Sequence, residues 1–186
     1  MNSARATAAL PAWVRMPAVA RTMELAGYMA LSVFAPFLTH FLPVMGDARW
    51  GERLLPLYYA PLLAALRSPL WLVAVLSLAA PWVNFAISNS PPPPMAMLLT
   101  VQLTAFALGI RWMRLARGEH WWLPLAGYLV AVAMGAVLLL LWPELNPRTS
   151  PAQFLLRAFT IPWPGLLVLL GLTWLTRRIP PNASAA

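Results

Sequence analysis

The sequence predicts an all-α integral membrane protein: a bundle of six transmembrane helices with the N- and C-termini in the cytoplasm. Three observations carry this expectation. The chain of 186 residues is 61% hydrophobic and 10% charged, whereas an ordinary soluble domain is about 25% charged and 45–50% apolar. Several apolar stretches reach the roughly 20 residues that a helix needs to cross a bilayer core. The arginines collect at the ends of those stretches, where a membrane protein carries its topology signals.

Taken in order, residues 1–22 read as a cytoplasmic arm with Arg5, Arg15 and Arg21, broken by Pro11 and Pro17 and touching the interface through Trp13. No long apolar run follows a short basic start, so the arm lacks the pattern of a signal peptide. The transmembrane domain is expected over residues 23–178, followed by a flexible tail at 179–186. Its clear spans are Met23–Leu42, Leu70–Ser88, Met95–Met113, Trp121–Trp142 and Ala152–Thr176.

Leu54–Leu66 is too short to be clear and contains Pro56 and Pro61. Charge decides in its favour. If it crosses, Arg67, Arg111, Arg114, Arg117, Arg177 and Arg178 join the N-terminal arginines on the cytoplasmic side, leaving Arg49, Arg53 and Arg148 outside. If it does not, the Arg111–Arg117 cluster and the C-terminal pair fall outside, against the positive-inside rule.

The outer connections are Pro43–Arg53, with Asp47 and Glu52; Asn89–Pro94, with its four prolines; and Pro143–Pro151, with Glu144. Borders are marked by Trp50, Trp71, Trp112, Trp121, Trp122, Trp142 and Trp174, as aromatic belts require. The net charge of +8 does not point to nucleic acid, because it sits at the span ends.

Chemistry is sparse. Without cysteine there is no disulfide or thiolate metal site, and all 13 basic residues are arginine. No paired acidic motif, His-x-x-x-His, nucleophile elbow or P-loop occurs. His40 and His120 fall at opposite ends of their spans, too far apart to share a metal ion. No catalytic residue, metal or cofactor is expected, and the chain reads as a non-enzyme.

Polar groups inside spans are the usual functional pointers. Here Asn84, Asn89 and Arg157 are expected in the outer half and Gln102 nearer the middle, with Trp82, Trp142 and Trp163 around them. Together they suggest a modest outer pocket for a small, partly aromatic or apolar ligand. On the first span, Ala26 and Ala30 are spaced to let a partner helix approach closely.

The stretches Leu57–Ala65, Leu76–Phe85 and Met97–Gly109, with the proline loop between the last two, make Leu54–Met113 resemble the substrate-binding S components of energy-coupling-factor (ECF) transporters. Tyr59 stands where one subgroup has His, and Gln102 where Glu is common. The resemblance implies a six-helix subunit of a bacterial cytoplasmic membrane that captures a vitamin-like small molecule at its outer face, with Tyr59 among its ligand contacts. It also implies a transmembrane coupling subunit docked on Ala26 and Ala30, with ATPase subunits driving uptake. The competing expectation is a non-transporting scaffold or assembly subunit of the same architecture. A lipid-acting membrane enzyme, using His40 or His120 as base, is a more distant one.

Overall fold

The structure is a computed structural model and describes residues 18–39, 41–43, 49–146 and 149–178. Trp13, His40, Asp47, Arg148, the tail from residue 179 and most of the expected N-terminal arm lie outside the described residues. The described residues form helices and no strand. In chain order these are α1 (Ala18–Thr39), α2 (Trp50–Leu54), α3 (Tyr59–Arg67), α4 (Leu70–Ser88), α5 (Pro93–Arg117), α6 (Leu123–Leu141), α7 (Pro151–Thr160) and α8 (Trp163–Arg178), with 3-10 turns at Pro56–Tyr58 and Pro143–Leu145.

Helix α1 begins at Ala18, inside the segment expected as an arm, and ends three residues before the expected Leu42. Helices α4, α5 and α6 are long and apolar enough to cross a membrane. Helices α7 and α8 make a fourth such stretch if taken as one, bent by 56° where they meet. The expected Ala152–Thr176 span is therefore broken. The cause is Pro162, which has no N–H to continue the helix, although Ile161 before it keeps helical backbone (φ −90°, ψ −47°).

The expected Leu54–Leu66 span is also broken. Leu55 takes a left-handed conformation (φ 54°) that ends α2, and the chain resumes through the Pro56–Tyr58 turn into α3. Helix α3 is only 9 residues long. It lies at the centre of the bundle, with Ala60, Leu62, Ala64 and Ala65 fully buried.

A core of aromatic and aliphatic side chains surrounds it. Tyr58 meets the rings of Phe106 on α5 and Tyr128 on α6 edge-on, at centroid distances of 4.9 and 5.9 Å. Helices α5 and α6 form the most extensive pairing, and α1 packs on α3 and α4. The outer surface is apolar as well: Trp71, Leu78, Val137, Leu140, Leu167 and Trp174 are exposed. So large an apolar exterior is what lipid, not water, accommodates. With its apolar helices, this is the surface of a membrane protein.

The two ends of the bundle differ. At one, the start of α1, the α3–α4 turn, the end of α5 and the end of α8 meet through Glu24, Ser68, Arg111, Arg114 and Arg67. At the other, the end of α1 approaches α2 at Gly51, and the start of α8 approaches Leu54.

That last approach is tight. A Cβ on Gly165 would stand 2.6 Å from the Leu54 carbonyl group and 2.8 Å from the Arg53 oxygen, both backbone, whereas one on Gly171 of the same helix would meet nothing within 4 Å. Gly165→Ala is expected to destabilise the bundle by about 1–3 kcal/mol through overpacking. Gly171→Ala is expected to be neutral or to stabilise by up to about 1 kcal/mol through helix propensity. Thermal unfolding of both variants in one detergent checks the contrast.

Candidate functional site

A proline inside or just after a helix leaves the carbonyl four residues before it without its usual donor. In lipid no water can replace that donor, so another protein group must. With 20 prolines in the chain, this need decides where many polar side chains go.

Ser32 precedes Pro36 by four residues, and its carbonyl accepts a 2.9 Å hydrogen bond from Asn84 Nδ2 on α4. The same amide donates to Ala80 O at 2.9 Å. Ala158 precedes Pro162 by four, and the Tyr128 hydroxyl on α6 donates to its carbonyl at 2.9 Å. Thr176 lies in the last turn of α8, where carbonyls lack an intrahelical donor, and the Arg67 guanidinium donates to its carbonyl. Helix α3 stops before Pro69; the Arg114 guanidinium donates to the Leu66 carbonyl and Arg111 donates to Ser68 O at 3.2 Å.

The expected ligand contacts are dispersed by these duties. Asn84 is buried and committed between α4 and α1. Gln102 is buried on another helix pair: a Cβ on Gly135 of α6 would come within 2.5 Å of its Nε2 and 3.0 Å of the Phe154 ring of α7. The Tyr59 hydroxyl donates to Leu54 O. Asn89 is exposed as the left-handed C-cap of α4. Trp142 and Trp163 are exposed, at the end of α6 and the start of α8.

Arg157 pairs with Glu52 at 3.0 Å, joining α7 to α2 with both side chains about half exposed (50% and 49%). An exposed pair of this kind contributes little, about 0–1 kcal/mol. Tyr59 and Arg157 thus share the end of the bundle where α2 sits, whereas Asn84 and Gln102 face α1 and α6. Ala26 and Ala30 are exposed on the outside of α1, and a Cβ on the neighbouring Gly27 would meet nothing within 4 Å.

The opposite end holds a grouping that sequence reading treated only as topology signals. Arg67, Arg111 and Arg114 line one cleft of about 420 Å³ with Leu115, Gly118 and Glu119. Glu119, on the α5–α6 turn, pairs with Arg114. The spacing of Arg111 and Arg114, three apart on one helix face, was the available signal. Glu24 accepts from the Ser68 hydroxyl beside it. Among the described residues no three His, Asp or Glu side chains gather as a metal site would need. His120 stacks on Trp122 and contacts Arg117 O at 2.7 Å, at the exposed α5–α6 turn.

Comparison with protein-family models, with curated proteins and with solved structures finds no match for this chain.

If Tyr128 serves the carbonyl that Pro162 leaves open, the two residues must be coupled. Tyr128→Phe is expected to cost about 1 kcal/mol of stability. In a Pro162→Ala background, which returns a backbone N–H to Ala158 O, the same change is expected to cost close to nothing. Equilibrium unfolding of the four proteins in this cycle measures the coupling.

Proposed function

We propose that the chain is a membrane subunit that works by binding, not by catalysis. In this reading it crosses the bacterial cytoplasmic membrane six times, with both termini and the arginine-rich end in the cytoplasm. It serves as the substrate-binding subunit of an ECF-type transporter. A vitamin-like small molecule is captured at the outer, Glu52–Arg157 end, and a transmembrane coupling subunit with its ATPases delivers it inward.

The observation that carries the reading is the exposed face of α1. Met23, Ala26, Ala30 and Phe34 are exposed along one side, while the other side packs on α3 and α4. Small residues at this spacing let a second membrane helix approach closely. The resemblance over Leu54–Met113 supplies the identity of the partner. The crossing by α2 and α3 is supported by their run alongside α1, from Gly51 near Thr39 to Ser68 beside Glu24 and Tyr28.

A second reading, the scaffold or assembly subunit, is favoured by a specific observation. Asn84, Tyr59 and Arg157 already spend their polar groups on other parts of the chain. A scaffold needs the α1 face and no ligand pocket.

Affinity purification of the full chain from its own membranes in mild detergent, with mass spectrometry of proteins and small molecules, separates the readings. The transporter reading expects ATPase and coupling subunits with a releasable small molecule. Ala26→Leu with Ala30→Leu is expected to reduce partner recovery at least tenfold, since about 1.4 kcal/mol of lost packing corresponds to that factor. A stoichiometric partner without ATPases replaces transport by scaffolding. Recovery of the chain alone contradicts both.

A further inference from the structure

We propose that the seam between α1 and α4 is an internal hydration site, with ordered water held deep in the bundle at Ser32 and Ser77. The site is separate from the outer-face capture proposed above and does not depend on it.

Two orphaned hydroxyls are the first reason. Ser32 and Ser77 are both fully buried (0% exposed), and neither hydroxyl has a hydrogen-bond partner. A serine or threonine inside a helix commonly settles this need by donating to the carbonyl four residues back. Ser88, Thr100, Thr160 and Thr173 all do so here, at 2.7–2.9 Å. Ser32 and Ser77 do not donate to the corresponding carbonyls, those of Tyr28 and Val73. Buried polar groups of native proteins find a partner, and where no protein group serves, it is water.

The second reason is that each serine stands four residues before a proline inside its own helix, Pro36 in α1 and Pro81 in α4. The two elements share the pattern Ser-x-x-Ala-Pro, followed by Phe37 in one and Trp82 in the other. Each proline withholds a donor from the serine's carbonyl. Asn84 makes good the loss at Ser32. Among the described residues no side chain does so at Ser77. Ser77 therefore presents an unmet hydroxyl and an opened carbonyl together.

Geometry is the third reason. Asn84 Nδ2 lies 2.9 Å from Ser32 O and 2.9 Å from Ala80 O, which sets the two helices at a common height there. Ser77 precedes Ala80 by three residues, about 4.5 Å along the axis at 1.5 Å per residue. Ser77, Ala80 and Asn84 are all buried, and their spacing puts them on one face of α4. The two hydroxyls and the Ser77 carbonyl thus lie within about one turn in height. An internal water needs two to four such polar partners. Inside a bilayer no bulk water reaches them, so leaving them unmet is especially costly.

The test uses the full chain in phosphatidylcholine nanodiscs. A structure that resolves ordered water is expected to show it at hydrogen-bond distance, about 2.5–3.0 Å, from the Ser77 and Ser32 hydroxyl oxygens. Thermal unfolding gives an independent readout through Ser77→Ala, made alone and together with Pro81→Ala. The second change returns a backbone N–H to the Ser77 carbonyl and removes that partner from the water.

Ser77→Ala is expected to lower Tm by about 2–4 °C more with Pro81 in place than in the Pro81→Ala background, the size of one hydrogen bond. The helix propensity gained with alanine is the same in both backgrounds and cancels. Equal shifts in the two backgrounds overturn the site. A dry hydroxyl, or one turned onto the Val73 carbonyl, does not sense Pro81. A Ser77 hydroxyl with no water at hydrogen-bond distance overturns it as well.

Discussion

The constraint on which this bundle rests is the supply of hydrogen-bond donors to carbonyls that its prolines leave open. An unpaired carbonyl in hydrocarbon costs several kcal/mol, and prolines interrupt or end most of the helices. The chain answers with side chains from neighbouring helices: Asn84 for Ser32 and Tyr128 for Ala158. Each such bond ties two elements far apart in sequence. The polar groups of the interior are thus the joints of the fold, and each joint is modest in energy, about 1 kcal/mol.

The same rule explains how a helix as short as α3 occupies the centre. A 9-residue helix rises only about 14 Å at 1.5 Å per residue, less than half of a bilayer core. Its last carbonyls would be orphaned inside the protein. Arg114 and Arg111 reach them from α5, and the small side chains of Ala60, Ala64 and Ala65 let the surrounding helices close around it. The arginines gathered at that end therefore serve as caps.

Apolar length made α4, α5 and α6 legible in the sequence, because a long uninterrupted run has few structural alternatives. Breaks were less legible. Pro56 and Pro162 stood in plain view, but whether a proline kinks a helix or divides it depends on neighbours such as Leu54, against which Gly165 packs. Of the polar residues read for ligand contact, Asn84 and Gln102 are buried, whereas Asn89 and Arg157 are exposed. Counting four residues back from each proline would have pointed to Ser32 and Ala158 as needing donors. It could not have named Asn84 and Tyr128 as the donors, since that pairing is set by helix packing. The arginine cleft was hidden for the same reason: Arg67 and Arg111 meet only when α3 is folded against α5.

The central claim is that the interrupted α2–α3 segment carries the chain across the membrane, setting the arginine-rich end in the cytoplasm. Because the chain has no cysteine, single cysteines report on this without background. Ser90→Cys, between α4 and α5, and Ala116→Cys, in the last turn of α5, are treated in intact cells with a membrane-impermeant maleimide. The account predicts labelling at position 90 at once and at position 116 only after the membrane is opened. Labelling at 116 in intact cells, with 90 protected, would contradict it.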